Sequence, residues 1–223
     1  MVPSPAPRVK VCCIQSEAEA RAAVAAGAAA LGLVSDMPSG PGVIPEDSIA
    51  AIAAVVPPPV APFLLTCRQD AASLVAQQRR VRVGTLQLCD RLPAGTHAEL
   101  RAALPGVRLV QVVHVNGPEA VDEARTAAPH VDAVLLDSGN VALPMKQLGG
   151  TGRRHDWTLS RRVREALDVP VFLAGGLTAD NVAEAIAAVG PFALDVCGGV
   201  RTSGALDETR LHAFFRAVRS ASG

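Results

Sequence analysis

The chain contains no tyrosine, and only 3% of its residues are aromatic. Single strands of nucleic acid are gripped by stacked aromatic side chains, and that platform is missing. There is no surplus of charge either. The 21 Lys and Arg are matched by 21 Asp and Glu. A general nucleic-acid binder needs a basic excess to meet phosphates, so no nucleic-acid partner is expected. No apolar run is long enough to span a bilayer. The run from Ala22 to Val34 is short and holds Gly27 and Gly32, and Pro57, Pro58, Pro59 and Pro62 break the run from Ile49 to Leu65. No membrane partner is expected. Residues 1–7 lack the apolar centre of a signal peptide and read as a disordered, Pro-rich leader. The five cysteines include no Cys-x-x-Cys pair. Their odd number and irregular spacing point to free thiols, a reducing compartment and hence a cytoplasmic location. Among His, Cys and carboxylates no spacing resembles a metal-ligand set, so no metal is expected.

What the chain does have is rhythm. Short apolar runs recur at Arg8–Ile14, Ala30–Ser35, Ala61–Thr66, Gly84–Leu88, Arg108–His114, Asp132–Asp137, Pro170–Ala174 and Ala193–Cys197. They are continuous rather than alternating, the pattern of strands buried on both faces in a parallel sheet. Between them lie Ala-, Glu- and Arg-rich stretches at helical spacing, among them Glu17–Ala26 behind Ser16 and Ala179–Val189 behind Thr178, both plausible caps. Eight strand–helix units of about 28 residues each, with no linker, predict a single (β/α)8 TIM barrel over residues 8–223. An open doubly wound sheet is the alternative. It would normally show a glycine fingerprint after its first strand, and none stands there.

In a barrel, chemistry belongs at the C-terminal ends of the strands. The polar groups there include Cys12, Cys89, His114, Asp137, Cys197 and two glycine pairs, Gly175-Gly176 and Gly198-Gly199. Period-two geometry puts Lys10 and Cys12 on one face of the first strand. A charged Lys needs a partner, so that face is placed inside the barrel. Lys10 is predicted to pair with Asp195, because strands one and eight are neighbours once the barrel closes. Cys12 then reads either as a base or nucleophile at the mouth or as a small buried apolar group. Asp137 reads as a general acid or as a turn residue. Two glycine pairs on the last two strands, each taken to precede a helix, point to an anion held on backbone N–H groups.

Taken together, these pieces resemble the phosphoribosylanthranilate isomerase family of the tryptophan pathway. The resemblance rests on Val9 to Cys12, Gly27 to Val34, Leu86 to Leu88, Leu135 to Ser138, Gly149 to Gly152 with Asp156 and Trp157, Leu173 to Leu177 with Asn181 and Val182, and Leu194 to Val196 with Gly199 and Val200, in family order over nearly the whole chain. It implies an Amadori rearrangement, in which a phosphoribosyl-amine opens and becomes a 1-amino-1-deoxyketose phosphate. It implies Cys12 as the base, Asp137 as the acid, and phosphate on the N–H groups around Gly175, Gly176, Gly198 and Gly199. No metal or organic cofactor is implied. The partner is a small phosphosugar, and the protein a monomer or homodimer.

The chain departs from the family at four places. Cys-Gly becomes Cys12-Cys13, Gln-Leu-His-Gly becomes Gln87-Leu88-Cys89-Asp90, and Ser-Pro-Arg becomes Ser39-Gly40-Pro41. Ser-Gly-Val-Glu becomes Gly198-Gly199-Val200-Arg201. The missing arginine is the family's partner for the anthranilate carboxylate, a contact that is hard to replace. Arg201, Arg153 or Arg154 would have to take it over. Cys89, His114 and Arg201 are carried as further substrate-binding candidates, and the loop from Gly139 to His155 as a candidate lid. Two other readings stand beside the isomerase: a paralogue acting on a different phosphosugar, and a non-catalytic phosphate-ligand-binding barrel.

Overall fold

Strands with apolar residues on both faces must be covered on both, and a closed barrel wrapped in helices does this without leaving a sheet edge. The computed structural model describes residues 6–139, 146, 148, 152 and 154–221. Eight parallel strands run in order: β1 (Arg8–Val11), β2 (Ala30–Val34), β3 (Ala61–Thr66), β4 (Thr85–Leu88), β5 (Arg108–His114), β6 (Ala133–Asp137), β7 (Val171–Leu173) and β8 (Ala193–Val196). Each pairs with the next, and β1 closes the ring against β8 with Lys10 opposite Asp195. The helices between and after them are α1 (Glu17–Ala26), α2 (Glu46–Val55), α3 (Ala71–Val81), α4 (Thr96–Ala103), α5 (Ala120–Ala127), α6 (Trp157–Glu165), α7 (Val182–Val189) and α8 (Glu208–Ser220). A small antiparallel ribbon, β9 (Arg201–Thr202) and β10 (Ala205–Leu206), follows β8. The barrel expected from the sequence is the fold observed. Of the expected leader, residues 1–5 lie outside the described residues.

Local chemistry sets the helix starts. Ser16 caps α1 by accepting from the Glu19 N–H, and Glu19 reaches back to the Gln15 N–H. Asp70, Asp156 and Asp207 cap α3, α6 and α8 in the same way. The expected cap at Thr178 is corrected: α7 begins three residues later, behind Asn181. The Asn181 side chain accepts from the Thr178 N–H at 2.9 Å and donates to the Gly176 carbonyl at 2.9 Å. Those bonds hold the chain in a loop where the apolar spacing alone suggested helix.

The strands separate two cores. The outer one, between sheet and helices, is built of Leu, Ile, Val and Ala with a few aromatics. The inner one fills the barrel, and its N-terminal end is aromatic. Phe172 lies 5.9 Å from both Phe63 and Phe192, and the Arg8 guanidinium sits 4.7 Å from the Phe192 ring. Above this plug Lys10, fully buried, meets Asp195 at 2.9 Å, as its face and strand order predicted. Burial opposes the charge on Lys10, but Asp195 outweighs it and holds the ammonium above its usual pKa. Gly32 on β2 makes the room. A Cβ there would lie 2.7 Å from Cys12 Sγ and 3.0 Å from Lys10 Nζ.

Candidate active site

The C-terminal ends of the strands enclose a cavity of about 530 Å³. Cys12 reaches it from the end of β1 and Asp137 from the end of β6. Gly175 and Gly176 reach it from the loop after β7, and Gly198 and Gly199 from the turn after β8. Cys89 lines it too. The residues singled out as base, acid and anion cradle therefore share one space. Among the described residues no group of three or more His, Cys, Asp or Glu is arranged to hold a metal ion. No helix among them is long and apolar enough to cross a membrane.

Each position has a local cause. Cys12 continues the inward face of β1 two residues after Lys10, and its N–H bonds the Val196 carbonyl at 2.8 Å, extending the β1–β8 pairing by one step. Asp137 is the last residue of β6. Withdrawal from bulk water is the main influence on its carboxyl, and the charge of Asp195 adds to it. Together they push the group up from 3.8 to about 6 against the pull of the Ser138 N–H and Lys10. An acid of that strength is partly protonated near neutrality and can give a proton away.

The glycines form a cradle that side chains would fill. Gly175 and Gly176 both have positive φ, 87° and 63°, a conformation that suits residues without a Cβ. Gly199 is pressed against the preceding loop, where a Cβ would fall 1.9 Å from the Leu177 carbonyl oxygen. None of the four glycine N–H groups donates a hydrogen bond among the described residues, so all four remain available to an anion. The expectation that both pairs directly precede helices is corrected. Gly198 and Gly199 open a single 3₁₀ turn ending at Val200, and five residues separate Gly176 from the start of α7 at Val182.

Two other candidates are also corrected. His114 does not line the cavity. At the end of β5 its ring meets the neighbouring Cys89 carbonyl through Nε2 at 3.3 Å, and burial lowers its pKa. Arg201 lines the cavity, but its guanidinium is already committed. It meets Glu19 at 2.7 and 3.1 Å and the Gly204 carbonyl at 2.7 Å, and it donates to the Cys13 carbonyl. Arg154 turns elsewhere, over the Trp157 ring at 3.9 Å and to Glu184 at 3.2 Å. Arg153 and the segment Gly149–Thr151 lie outside the described residues, as does most of the candidate lid.

Sequence reasoning missed Arg210. It lines the cavity from the first turn of α8, and its ion pair with Asp207 is long, at 3.8 Å. Its signal was a basic residue three positions after a capping Asp, in the helix that follows the second glycine pair. Gln87 was quoted only as part of a motif, yet it lines the cavity with its Oε1 lacking a partner among the described residues. Such an atom is satisfied by a donor on a ligand.

Known proteins share this fold. The family model described as N-(5'-phosphoribosyl)anthranilate (PRA) isomerase matches residues 9–217. The N-(5'-phosphoribosyl)anthranilate isomerase of Haloferax volcanii is 39% identical over 220 residues, covering 97% of this chain and 95% of that one. The crystal structure of phosphoribosyl anthranilate isomerase from Thermotoga maritima superimposes with a TM-score of 0.82 at 25% identity, covering 96% of this chain and 99% of that one. A structure of such an isomerase in complex with reduced 1-(o-carboxyphenylamino)-1-deoxyribulose 5-phosphate has the same fold, with a TM-score of 0.80, 24% identity, and coverage of 96% and 99%. Matched along its barrel by sequence and by backbone, the chain belongs to the N-(5'-phosphoribosyl)anthranilate isomerase family.

Proposed function

We propose that the protein is an isomerase that carries out an Amadori rearrangement of a phosphoribosyl-amine, with phosphoribosylanthranilate as the first substrate to test. The observation that carries this reading is the meeting of Cys12, Asp137 and both glycine pairs on one cavity. Asp137 gives its proton to the ring oxygen as the C1–O bond opens, leaving an iminium. The Cys12 thiolate takes the proton from C2, and the resulting enolamine relaxes to the 1-amino-1-deoxyketose. Lys10, beside Cys12 and fully buried, supplies positive potential on that side of the barrel. The phosphate rests on the glycine N–H groups, with Arg210 at its edge. The chemistry asks for no metal or organic cofactor, and the partner is a small phosphosugar.

A second reading, the same rearrangement on a different amino-sugar phosphate, is favoured by one observation. Arg201 is committed to Glu19 and Arg154 to Glu184, so neither stands ready to hold the anthranilate carboxylate. The deciding experiment generates phosphoribosylanthranilate in the cuvette and follows its fluorescence after the protein is added. Rapid loss that disappears in Cys12→Ser supports the first reading. No loss, from folded protein that still binds ribose 5-phosphate, removes the anthranilyl substrate and leaves the second.

A further inference from the structure

Two cysteines outside the proposed acid–base pair meet at the mouth of the barrel. Cys13 follows β1 and Cys197 follows β8, 184 residues apart in sequence, and their sulfurs lie 2.8 Å apart. That is inside ordinary contact distance for two sulfurs, and the bond length of about 2.05 Å is under an ångström away. The ladder explains the meeting. Val11 is opposite Val196 in the β1–β8 register, so Cys13 and Cys197 follow diagonally on neighbouring strands. Both side chains line the cavity.

The backbone gives a second, independent sign. Cys13 has φ 62°, the left-handed region that favours glycine. It is buried, and the chain keeps clear of it at Gly42, where a Cβ would fall 2.5 Å from Cys13 Cβ. A side chain is thus held at a glycine-like position, with a neighbouring segment cleared to admit it, and what it meets there is another sulfur. An inert filler would gain nothing from that backbone.

We propose that Cys13 and Cys197 are a redox pair that closes reversibly into a disulfide, tying the loop that carries Cys12 to the turn that carries Gly198 and Gly199. The oxidant is a small peroxide able to enter the cavity. The Cys197 sulfur attacks one peroxide oxygen, the O–O bond breaks, and a sulfenic acid and one water result. The Cys13 sulfur then attacks the sulfenic sulfur, the S–S bond forms, the S–O bond breaks, and the hydroxyl leaves with the Cys13 proton as a second water. Two thiols are oxidised by two electrons and one peroxide is reduced. A dithiol reverses the step by exchange.

The roles follow from surroundings. Cys197 is the less buried of the two, and its thiol is drawn down by its hydrogen bond with Cys13 and, against burial, by the Arg201 cation. Cys13 is driven the other way by its contacts with Cys12 and Cys197 and by burial, so it keeps its proton. The more acidic sulfur is the one that meets the oxidant first.

The test needs no substrate. Purified protein is treated with hydrogen peroxide, denatured, and its thiols counted and mapped by peptide mass. The expected result is a fall from five free thiols to three, one cross-linked peptide pair holding Cys13 and Cys197, and full recovery with dithiothreitol. Cys12→Ser retains the cross-link. Cys13→Gly, which suits the local backbone, loses it, and Cys197→Ala does the same should the glycine variant fail to fold. A count that stays at five, a link through Cys12, or Cys197 driven to sulfinic acid without a link overturns the proposal.

Discussion

At the N-terminal end of the barrel Phe172 packs in tilted contact against both Phe63 and Phe192, and an arginine covers the last ring. At the C-terminal end the same eight strands finish in thiols, a carboxyl held near 6 and glycines with unused N–H groups. One end satisfies its atoms among themselves. The other leaves glycine donors without partners and an acid held mainly by the neighbouring Ser138, a cost borne because a ligand can meet them. The Lys10–Asp195 pair lies between, with Lys10 fully buried and Asp195 touching the cavity. The two ends should therefore fail differently when altered.

The largest effect is expected at the mouth. Asp137→Asn should lower kcat by about 10²- to 10⁴-fold, the range for a lost general acid. Wild-type turnover should fall as pH rises through about 6, where Asp137 gives up its proton. Steady-state kinetics across pH checks both, and a variant with near-normal kcat would remove Asp137 from the reaction. At the boundary, Lys10→Met strands the Asp195 charge and should cost about 3–5 kcal/mol by urea unfolding. A loss under 1 kcal/mol would mean that Asp195 is not dependent on Lys10.

At the plug, Phe172→Ala opens a void and should cost about 3 kcal/mol or more, while kcat in the remaining folded protein stays within a few-fold. A selective loss of kcat would break the division between the ends. The smallest effect is a gain. Below about pH 3 Asp137 is protonated in both folded and unfolded chains. As pH rises from 4 through 6, the unfolded chain ionises it readily and the folded chain does so against burial, so stability falls over that window. Asp137→Asn should therefore be more stable than wild type at pH 8 by about 1 kcal/mol, after discounting for exposure to the cavity, and equal to it at about pH 3. Thermal unfolding at the two pH values measures the difference.

Much of this was legible in the sequence because it depends on period and order. Continuous apolar runs gave the strands, with β3 and β5 found to the residue. Barrel closure then gave Lys10 its partner and brought Cys12, Asp137 and the glycine pairs to one end. What stayed hidden depends on side-chain reach. Arg201 looked available because nothing in its own segment opposes it. Its partner Glu19 lies 182 residues away on α1, and only the closed ring brings them together. His114 has the parity of an inward residue, but its ring turns to the neighbouring Cys89 carbonyl instead. The α7 start was missed because Asn181 binds backward to Gly176, a loop bond that helical spacing does not register.

The Trp157 indole is the chain's one tryptophan, at the start of α6, with the Arg154 guanidinium over its ring and no tyrosine anywhere to share its ultraviolet absorption. The protein therefore carries a single intrinsic fluorophore, placed where the β6–α6 connection re-enters the barrel wall. A stacked cation sets the brightness and colour of such a ring, so any shift of Arg154 would be read optically, from one known position, without a label.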